Sequence, residues 1–298
     1  MRKLFPLVLA LLACGGSRPA RTAKGDAVLS VTGRVEHGPY TYGRDDLKRV
    51  SRRAFRAIAP ASDTPAKFDG AAIAALIADT VDLKPGVDTA VFHGEKGYAV
   101  PVSMSALRQL KPILADTVDG KPVATWRDGA GPLVLAWPNV DQPGIDTDPR
   151  MRWWWVTGVS KVEMVSWTAS YGRALRVPTG ASDDARLGAD AFSVQCMGCH
   201  KLRGVGGSRG PDLTQAASKK NLQELSTSMR DHLARVAPQG TEPAATSLRQ
   251  IAAFLHEIDV AGSRADEEFQ VPEQPAGPRP GQSGPYAPPP RAGDDVRR

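Results

Sequence analysis

Residues 196–200 read Cys-Met-Gly-Cys-His, and this run, the haem motif, combines the residue types that hold a covalently attached haem. Two thiols separated by two residues can each form a thioether bond with one vinyl group of the porphyrin. The histidine that follows can bind the iron through a neutral imidazole nitrogen. The pattern therefore predicts one haem c, attached at Cys196 and Cys199 and bound by His200 as the proximal iron ligand.

Two other kinds of site use the same residue types. A structural zinc site needs two further thiol or imidazole ligands at short spacing, and the sequence contains no second pair of that kind. A thioredoxin-type dithiol follows a strand, whereas the residues before Cys196 have the pattern of a helix. Both alternatives fit the sequence less well than a haem does.

The N-terminus carries the features of an export signal. A basic pair precedes an apolar run over residues 4–13, which is too short to span a bilayer as a helix. Residues 11–14, Leu-Leu-Ala-Cys, resemble the bacterial lipobox. The resemblance implies cleavage before Cys14, lipid on its thiol and a place on the periplasmic side of the cell envelope, with the outer membrane slightly favoured. An ordinary signal peptide that contains a cysteine is the alternative.

The cysteine count agrees with these two interpretations. The chain has three cysteines, so none remains for a disulfide if Cys14 carries lipid and Cys196 and Cys199 carry haem. Its 298 residues, 41% of them hydrophobic, are enough for two modest cores. The formal net charge of +6 is spread along the chain, which does not indicate nucleic-acid binding and suits an acidic redox partner or anionic lipid.

Changes in composition predict a multidomain chain. Alternating apolar and polar stretches with many turn signals give way to helical patterns around the haem motif, and the C-terminus is rich in proline with few aliphatic residues. The predicted segments are a signal peptide over 1–13, a tether over 14–25, an α+β domain with a mixed sheet over 26–177, a linker over 178–184, an all-α domain over 185–262 and a disordered tail over 263–298.

Three helices are predicted in the second domain. The first is capped by Asp183 or Asp184 and runs into the haem motif. The second covers about 219–236, and the third covers 246–258, where apolar residues recur at helical spacing. A helical domain around the motif is therefore expected.

This region resembles a small class I cytochrome c. Gly188 and Phe192 match the glycine and the aromatic residue of the first helix that meet the last helix in that family. Residues 210–213, Gly-Pro-Asp-Leu, match the loop that follows the haem motif. The resemblance implies that the Pro211 carbonyl accepts a hydrogen bond from His200, which fixes the ring orientation and tunes the basicity of the ligand.

The sequence departs from that family at the distal iron ligand, which is usually a methionine a few residues before the last helix. The matching stretch here has Glu242 at that position, and a carboxylate is a poor ligand for reduced iron. The other candidates are Met229 and His232, three residues apart on one face of the preceding helix. Methionine would raise the reduction potential, histidine would lower it, and no ligand would leave an open site. The sequence does not choose between these three outcomes.

The first domain is predicted to combine a mixed sheet with short helices. The predicted strands cover 28–35, 98–103, 131–138 and 153–165, and the predicted helices lie near 73–77 and 105–110. On the last strand, Trp153 and Trp155 are expected on one face of the sheet and Trp154 on the other.

This domain resembles the molybdopterin-binding domain of sulfite-oxidase-type oxidoreductases. The shared patterns are Val-x-Gly-x-Val at 31–35, Asp-Gly-x-Pro at 119–122 and Gly-Pro-Leu at 131–133. Catalytic members of that family bind molybdenum through a cysteine thiolate, and this chain has no cysteine between Cys14 and Cys196. We therefore expect a relative of the fold without the metal, which serves as a docking or substrate-binding module.

Together these features predict a lipid-anchored c-type cytochrome of the periplasm that exchanges single electrons with a redox partner protein, rather than an enzyme. A second hypothesis is a haem protein with an open distal site that binds or senses a small gas. A third is the haem-carrying part of a molybdopterin-type oxidoreductase, and the missing cysteine argues against it.

Overall fold

The computed structural model describes residues 21–23, 25–60, 62–127, 130–146, 149–236, 244–262 and 269–270. The predicted signal peptide, Cys14 and Glu242 lie outside the described residues, as does most of the predicted proline-rich tail. No helix in the described part of the chain is both long and apolar enough to cross a bilayer.

Short strands and helices alternate up to residue 178, and the three longest helices follow. The strands are β1 (Ala27–Gly33), β2 (Tyr40–Gly43), β3 (Arg52–Ala57), β4 (Ala66–Ala72), β5 (Thr89–His93), β6 (Ala99–Ser103), β7 (Ile113–Val118), β8 (Lys121–Pro122), β9 (Val134–Ala136), β10 (Lys161–Val165), β11 (Val177–Pro178), β12 (Lys201–Leu202), β13 (Val205–Gly206) and β14 (Phe269–Gln270). The α-helices are α1 (Arg44–Lys48), α2 (Ile73–Thr80), α3 (Met104–Leu110), α4 (Pro143–Asp146), α5 (Arg173–Leu175), α6 (Asp183–Gln195), α7 (Leu222–Val236) and α8 (Ala245–Gly262). Three 3₁₀ helices cover Glu95–Gly97, Val123–Thr125 and Pro149–Trp154, and a π-helical turn covers Thr168–Gly172.

Two five-stranded sheets build the strand-rich region, residues 25–178. In the first sheet the strand order is β2-β1-β10-β5-β6. β1 runs parallel to β10 and the other neighbours are antiparallel, so this sheet is mixed, as the sequence predicts. The second sheet is antiparallel, with the order β3-β4-β7-β8 and with β9 beside β7.

The strand predicted over 153–165 is wrong in its first half. The first residues of that range belong to the third 3₁₀ helix, and β10 starts well after it. The three tryptophans do not alternate between two faces, because long-range contacts fix them separately. Trp137 Nε1 donates a hydrogen bond to the Trp154 carbonyl at 2.9 Å, and the Trp155 ring packs edge-on against Phe68.

The N-terminal end of α6 is capped by Ser182 rather than by Asp183 or Asp184. The Ser182 hydroxyl oxygen accepts a hydrogen bond from the Ala185 amide at 3.1 Å. The two aspartates lie in the first turn, where negative charge interacts favourably with the helix dipole. The second and third predicted helices are confirmed, although α7 starts slightly later than predicted and α8 is longer at both ends.

α6 and α8 pack directly against each other at a glycine. A Cβ atom on Gly188 would lie 2.0 Å from the carbonyl oxygen of Gln250, so only glycine allows this approach. The buried rings of Phe192 and Phe254 meet across the same helix pair, with their centroids 5.7 Å apart. The predicted contact of Gly188 and Phe192 with the last helix is therefore confirmed.

The apolar core continues across the predicted linker. The cluster that holds most of the buried side chains of the mixed sheet also contains Val194, Leu233 and Leu248 from the three long helices. The cluster between the helices also contains Val91 and Ala99 from the sheet. The two predicted domains thus share buried surface, and the boundary between them stays a prediction.

Candidate functional site

The two cysteines of the haem motif lie on a single turn that follows α6. The Cys196 amide donates to the Phe192 carbonyl at 2.9 Å and ends the helix. The amides of Cys199 and His200 both donate to the Cys196 carbonyl, at 3.1 and 2.9 Å. This geometry brings two free thiols and one imidazole onto one short turn, at the end of a helix that α8 holds in place.

The imidazole of His200 is oriented by the loop that follows the motif. Its Nδ1 lies 2.9 Å from the Pro211 carbonyl oxygen, which can only accept, so Nδ1 carries the proton and donates. Nε2 is then the nitrogen with a free lone pair, which is the form that binds a metal. A Cβ atom on Gly210 would lie 2.3 Å from His200 Cε1, so the ring position requires glycine there.

Backbone hydrogen bonds fold the loop over residues 201–214 back onto the haem motif. The Gly207 amide donates to the Met197 carbonyl at 2.8 Å. The Gly210 amide donates to the Cys199 carbonyl, also at 2.8 Å. β12 and β13 pair as a hairpin at the start of the loop. The loop backbone is therefore fixed both by this hairpin and by its hydrogen bonds to the motif.

Asp212 fixes the far end of this loop. Its carboxylate accepts hydrogen bonds from the Gly204 amide at 3.1 Å, from the Thr214 amide at 2.8 Å and from the Thr214 hydroxyl. Burial by itself raises the pKa of Asp212, but the hydrogen bonds from Thr214 and Gly204 outweigh it, and that pKa is lowered. The ionised carboxylate therefore stabilises the loop that carries Pro211.

Both thiols of the motif are held in the protonated form. Burial, with a smaller contribution from Cys199, raises the pKa of Cys196 to about 12. Burial also raises the pKa of Cys199, although Arg209 opposes this shift. Reactive dithiols have a lowered thiol pKa, so the raised values do not indicate a site of that kind. No group of three or more histidine, cysteine or acidic side chains that could hold a metal ion occurs among the described residues.

Gln195, immediately before the motif, has a buried side-chain oxygen with no hydrogen-bond partner in the described part of the chain. A buried acceptor that is left unpaired costs about 1–3 kcal/mol. A bound group or a water molecule that donates a hydrogen bond at this position would remove that cost. A haem with ionised propionates has no such donor, so this acceptor needs a water molecule or another donor and does not by itself indicate a haem.

A second histidine, on α7, approaches His200. The ring centroids of His200 and His232 are 5.7 Å apart, and the two ring planes are inclined by 66°. Burial, followed by the proximity of His200 and Arg235, lowers the pKa of His232 and favours its neutral form. Met229, one turn earlier, packs against both large apolar clusters. Of the two distal candidates, His232 is thus brought to His200 and Met229 lies against the core.

The strand-rich region contacts the haem motif directly. The Ala99 amide, at the start of β6, donates to the Gly198 carbonyl at 2.9 Å. The Ser208 amide in the following loop donates to the Gly97 carbonyl at 2.8 Å. A Cβ atom on Gly198 would lie 2.6 Å from the Tyr98 ring, so the two regions approach each other as closely as a glycine permits.

Tyr98 is a site residue that the sequence does not reveal. Its hydroxyl donates to the Trp153 carbonyl at 2.6 Å, and burial raises the pKa of its phenol. No local pattern distinguishes this tyrosine, because its contacts with Gly198 and Trp153 join residues that are distant in the chain. Only the folded arrangement shows that it supports the motif.

A cavity of about 160 Å³ opens beside Cys199, between the motif and the strand-rich region. Its lining combines aromatic rings with guanidinium groups, among them Tyr98, Trp126, Trp155, Arg127, Arg152 and Arg209. Arg127 lies over the Trp126 ring, 4.4 Å from its centroid, and burial lowers the pKa of this guanidinium. Positive charge and aromatic surface therefore meet next to one of the motif thiols.

These side chains match the donor set of a haem c. Two thiols can take covalent bonds, His200 offers Nε2, and the His232 ring lies with its centroid 5.7 Å from that of His200. Pro211 fixes the tautomer of the first histidine. The residues present therefore fit the group that the motif predicts, and their roles in holding it stay predictions.

Comparison with known proteins adds little to this geometry. No protein-family model matches the sequence, and no curated protein gives a significant match. The crystal structure of the sulfane dehydrogenase SoxCD from Paracoccus pantotrophus is similar at 17% sequence identity and a TM-score of 0.35. The similarity covers 46% of this chain and 38% of that chain, so this chain matches less than half the length of that one. A TM-score this low does not establish a common fold.

Proposed function

We propose that this protein binds one haem c at residues 196–200 and carries single electrons to or from a redox partner protein. The orientation of His200 is the observation that carries the proposal. Its Nδ1 is held by the Pro211 carbonyl and its Nε2 remains available to a metal, on the same turn as two free thiols. A reactive dithiol does not need an oriented imidazole, and the described residues contain no group of three or more histidine, cysteine or acidic side chains that could hold a zinc ion.

Each residue of the motif has a defined part in the proposal. Cys196 and Cys199 would hold the haem through two thioether bonds, each formed by addition of an S–H bond across one vinyl group, which needs no net oxidant or reductant. His200 supplies the proximal nitrogen, and Pro211 keeps that ring in place. When bound, the haem supplies a one-electron Fe(II)/Fe(III) couple.

The strand-rich region serves as the docking module in this proposal. Its contact with Gly198 supports the motif from the side of β6, and the cavity with Arg127 and Trp126 opens beside Cys199. The positive net charge favours an acidic partner, because complementary charge speeds the encounter of two proteins. If the partner is acidic, the rate of electron transfer should decrease when salt is added, because salt screens the attraction.

Location on the periplasmic side of a bacterial envelope is the second part of the proposal. It depends on the export signal and on the lipobox-like residues 11–14. Labelled fatty acid is expected on the wild-type chain and not on Cys14→Ser. Equal labelling of the two chains would contradict lipid attachment at Cys14.

Covalent haem attachment is the first property to test. The full chain is produced in a bacterial host that attaches haem c, and haem is detected on a denaturing gel and by intact mass. We expect one haem on the wild type and on Cys14→Ser, and none on the Cys196→Ala/Cys199→Ala double variant. A wild-type chain without covalent haem overturns the proposal.

Two other functions predict different results in the same preparation. A gas-binding or sensing protein would bind carbon monoxide quickly in the reduced state, because its distal site is open. The haem-carrying part of a molybdopterin-type oxidoreductase would contain molybdenum in stoichiometric amount. An electron carrier is expected to show neither property.

A further inference from the structure

The distance between two histidine rings supports a further inference about which residues bind the iron. Two imidazoles that bind opposite sides of one metal ion through bonds of about 2 Å hold their ring centres roughly 6 Å apart. The rings of His200 and His232 are 5.7 Å apart. Each ring can turn about its bond to the metal without lengthening it, so an angle of 66° between the planes is compatible with a shared metal ion.

We propose that His232 is the distal iron ligand, so that the haem of this protein is bound by two histidines. The inference rests on the proposed haem site and extends it by naming the sixth ligand. It also distinguishes this chain from the class I cytochromes c that it resembles, in which a methionine usually takes that position.

Packing of α7 sets the position of the His232 ring. Leu233, the next residue, is 8% exposed and belongs to the cluster of the mixed sheet. Leu225, two turns earlier, is 4% exposed and belongs to the cluster between the helices. These two leucines keep the helix against the core, and the His232 ring lies with its centroid 5.7 Å from that of His200.

Met229 is the competing ligand, and its surroundings argue against it. Its side chain is half-buried and packs against both apolar clusters, so movement towards iron would give up these apolar contacts. His232 is also half-buried, but it is polar and belongs to neither apolar cluster, so its use as a ligand gives up no such contacts. The histidine can therefore bind at a lower structural cost than the methionine.

The test compares His232→Ala with Met229→Leu, a matched control one turn away on the same helix. The full chain with attached haem is examined by optical absorption in both oxidation states, by electron paramagnetic resonance and by exposure to carbon monoxide. We expect a low-spin wild type without the red charge-transfer band of a methionine–iron bond and without ready carbon monoxide binding. His232→Ala should become high-spin and bind carbon monoxide, and added imidazole should restore the low-spin state. Met229→Leu should leave the spectra unchanged.

His232→Met keeps the inference testable if the alanine variant does not accumulate. It should retain a six-coordinate iron, gain the methionine charge-transfer band and have a raised reduction potential. The inference is overturned if the wild type already shows that band and Met229→Leu removes it, or if His232→Ala keeps the wild-type spectra. A high-spin wild type that binds carbon monoxide readily also overturns it. Absence of covalent haem is read separately on the gel and counts against the haem site itself.

Discussion

The turn that carries His200 and the helix that carries His232 are held in very different ways. The turn is fixed by the Pro211 carbonyl, by the amides of the following loop and by the contact of Gly198 with the strand-rich region. α7 contains 15 residues, of which only Leu225, Ser226 and Leu233 are buried. The His200 side of the candidate site is thus fixed by many contacts, whereas the His232 side depends on one helix with few buried side chains.

Because of this difference, substitutions near His200 and substitutions on α7 are expected to have different effects. Local opening is most frequent where few buried contacts hold an element, so α7 is the element expected to move when the distal site opens. Substitutions on the proximal side should lower the stability of the site as a whole. Substitutions on α7 should change the ligation of the iron and leave the turn intact.

Gly188→Val should have the largest effect, because it acts where α6 meets α8 below the proximal turn. The new side chain would collide with the Gln250 carbonyl and force the helices apart. We expect a decrease of about 3 kcal/mol in the free energy of unfolding, measured in urea. Leu187→Ala is the control on the same helix, because Leu187 is 43% exposed and should change stability by about 0.5 kcal/mol or less. Equal stability of the two variants would argue against the close crossing.

Gly210→Ala should disturb the proximal histidine itself. The added methyl group would lie 2.3 Å from His200 Cε1, so the ring has to leave the Pro211 carbonyl. We expect a loss of about 2 kcal/mol in the free energy of unfolding and a shift of the haem spectrum towards high spin. Ser208→Ala, at an exposed position in the same loop, is the control. An unchanged spectrum in Gly210→Ala would show that His200 does not need this orientation.

Tyr98→Phe should have a smaller effect, because it removes one hydrogen bond and keeps the ring that packs on Gly198. The Trp153 carbonyl loses its donor, which should cost about 1 kcal/mol in urea unfolding. The haem spectrum should not change, since the motif backbone still contacts the ring. A spectral change as large as that of Gly210→Ala would mean that the hydroxyl, and not the ring, supports the motif.

Asp212→Asn should have the smallest effect, and one that depends on pH. Because hydrogen bonds lower the pKa of Asp212 in the folded state, its stabilising contribution is present above the pKa of the unfolded chain and is lost as pH falls through the lowered folded value. The wild type should therefore exceed the variant in stability near neutral pH, and the difference should shrink in the acid range. Urea unfolding at several pH values measures it, and a difference that grows on acidification would contradict the assigned shift.

The sequence was sufficient for features that depend on local patterns. The helical spacing before and after the motif predicted α6 and α8, and the resemblance to the class I cytochromes c implied that they meet at Gly188 and Phe192. The alternating pattern near residue 30 predicted β1, and the mixture of strand and short-helix patterns predicted an α+β domain. The predictions of these helices and strands are confirmed because hydrophobic periodicity is set by residues that are close in the chain.

Features that depend on distant contacts were not predictable from the sequence. The strand predicted at Trp153 gives way to a 3₁₀ helix, because Trp137 and Tyr98 hold its carbonyls from elsewhere in the chain. The approach of His232 to His200 requires the placement of a whole helix, which no spacing rule supplies. Residue types and spacing identified the candidates, and only tertiary packing separated His232 from Met229.

The contact between Gly198 and β6 also limits how this chain can be recombined. The Ala99 amide and the Gly97 carbonyl complete hydrogen bonds with the motif turn and its loop, and Tyr98 covers the glycine. A fragment cut at the predicted linker would keep every residue that resembles a cytochrome and would lose these partners. The motif therefore cannot be moved to another scaffold by itself. The edge of the sheet that contacts it has to be transferred as well.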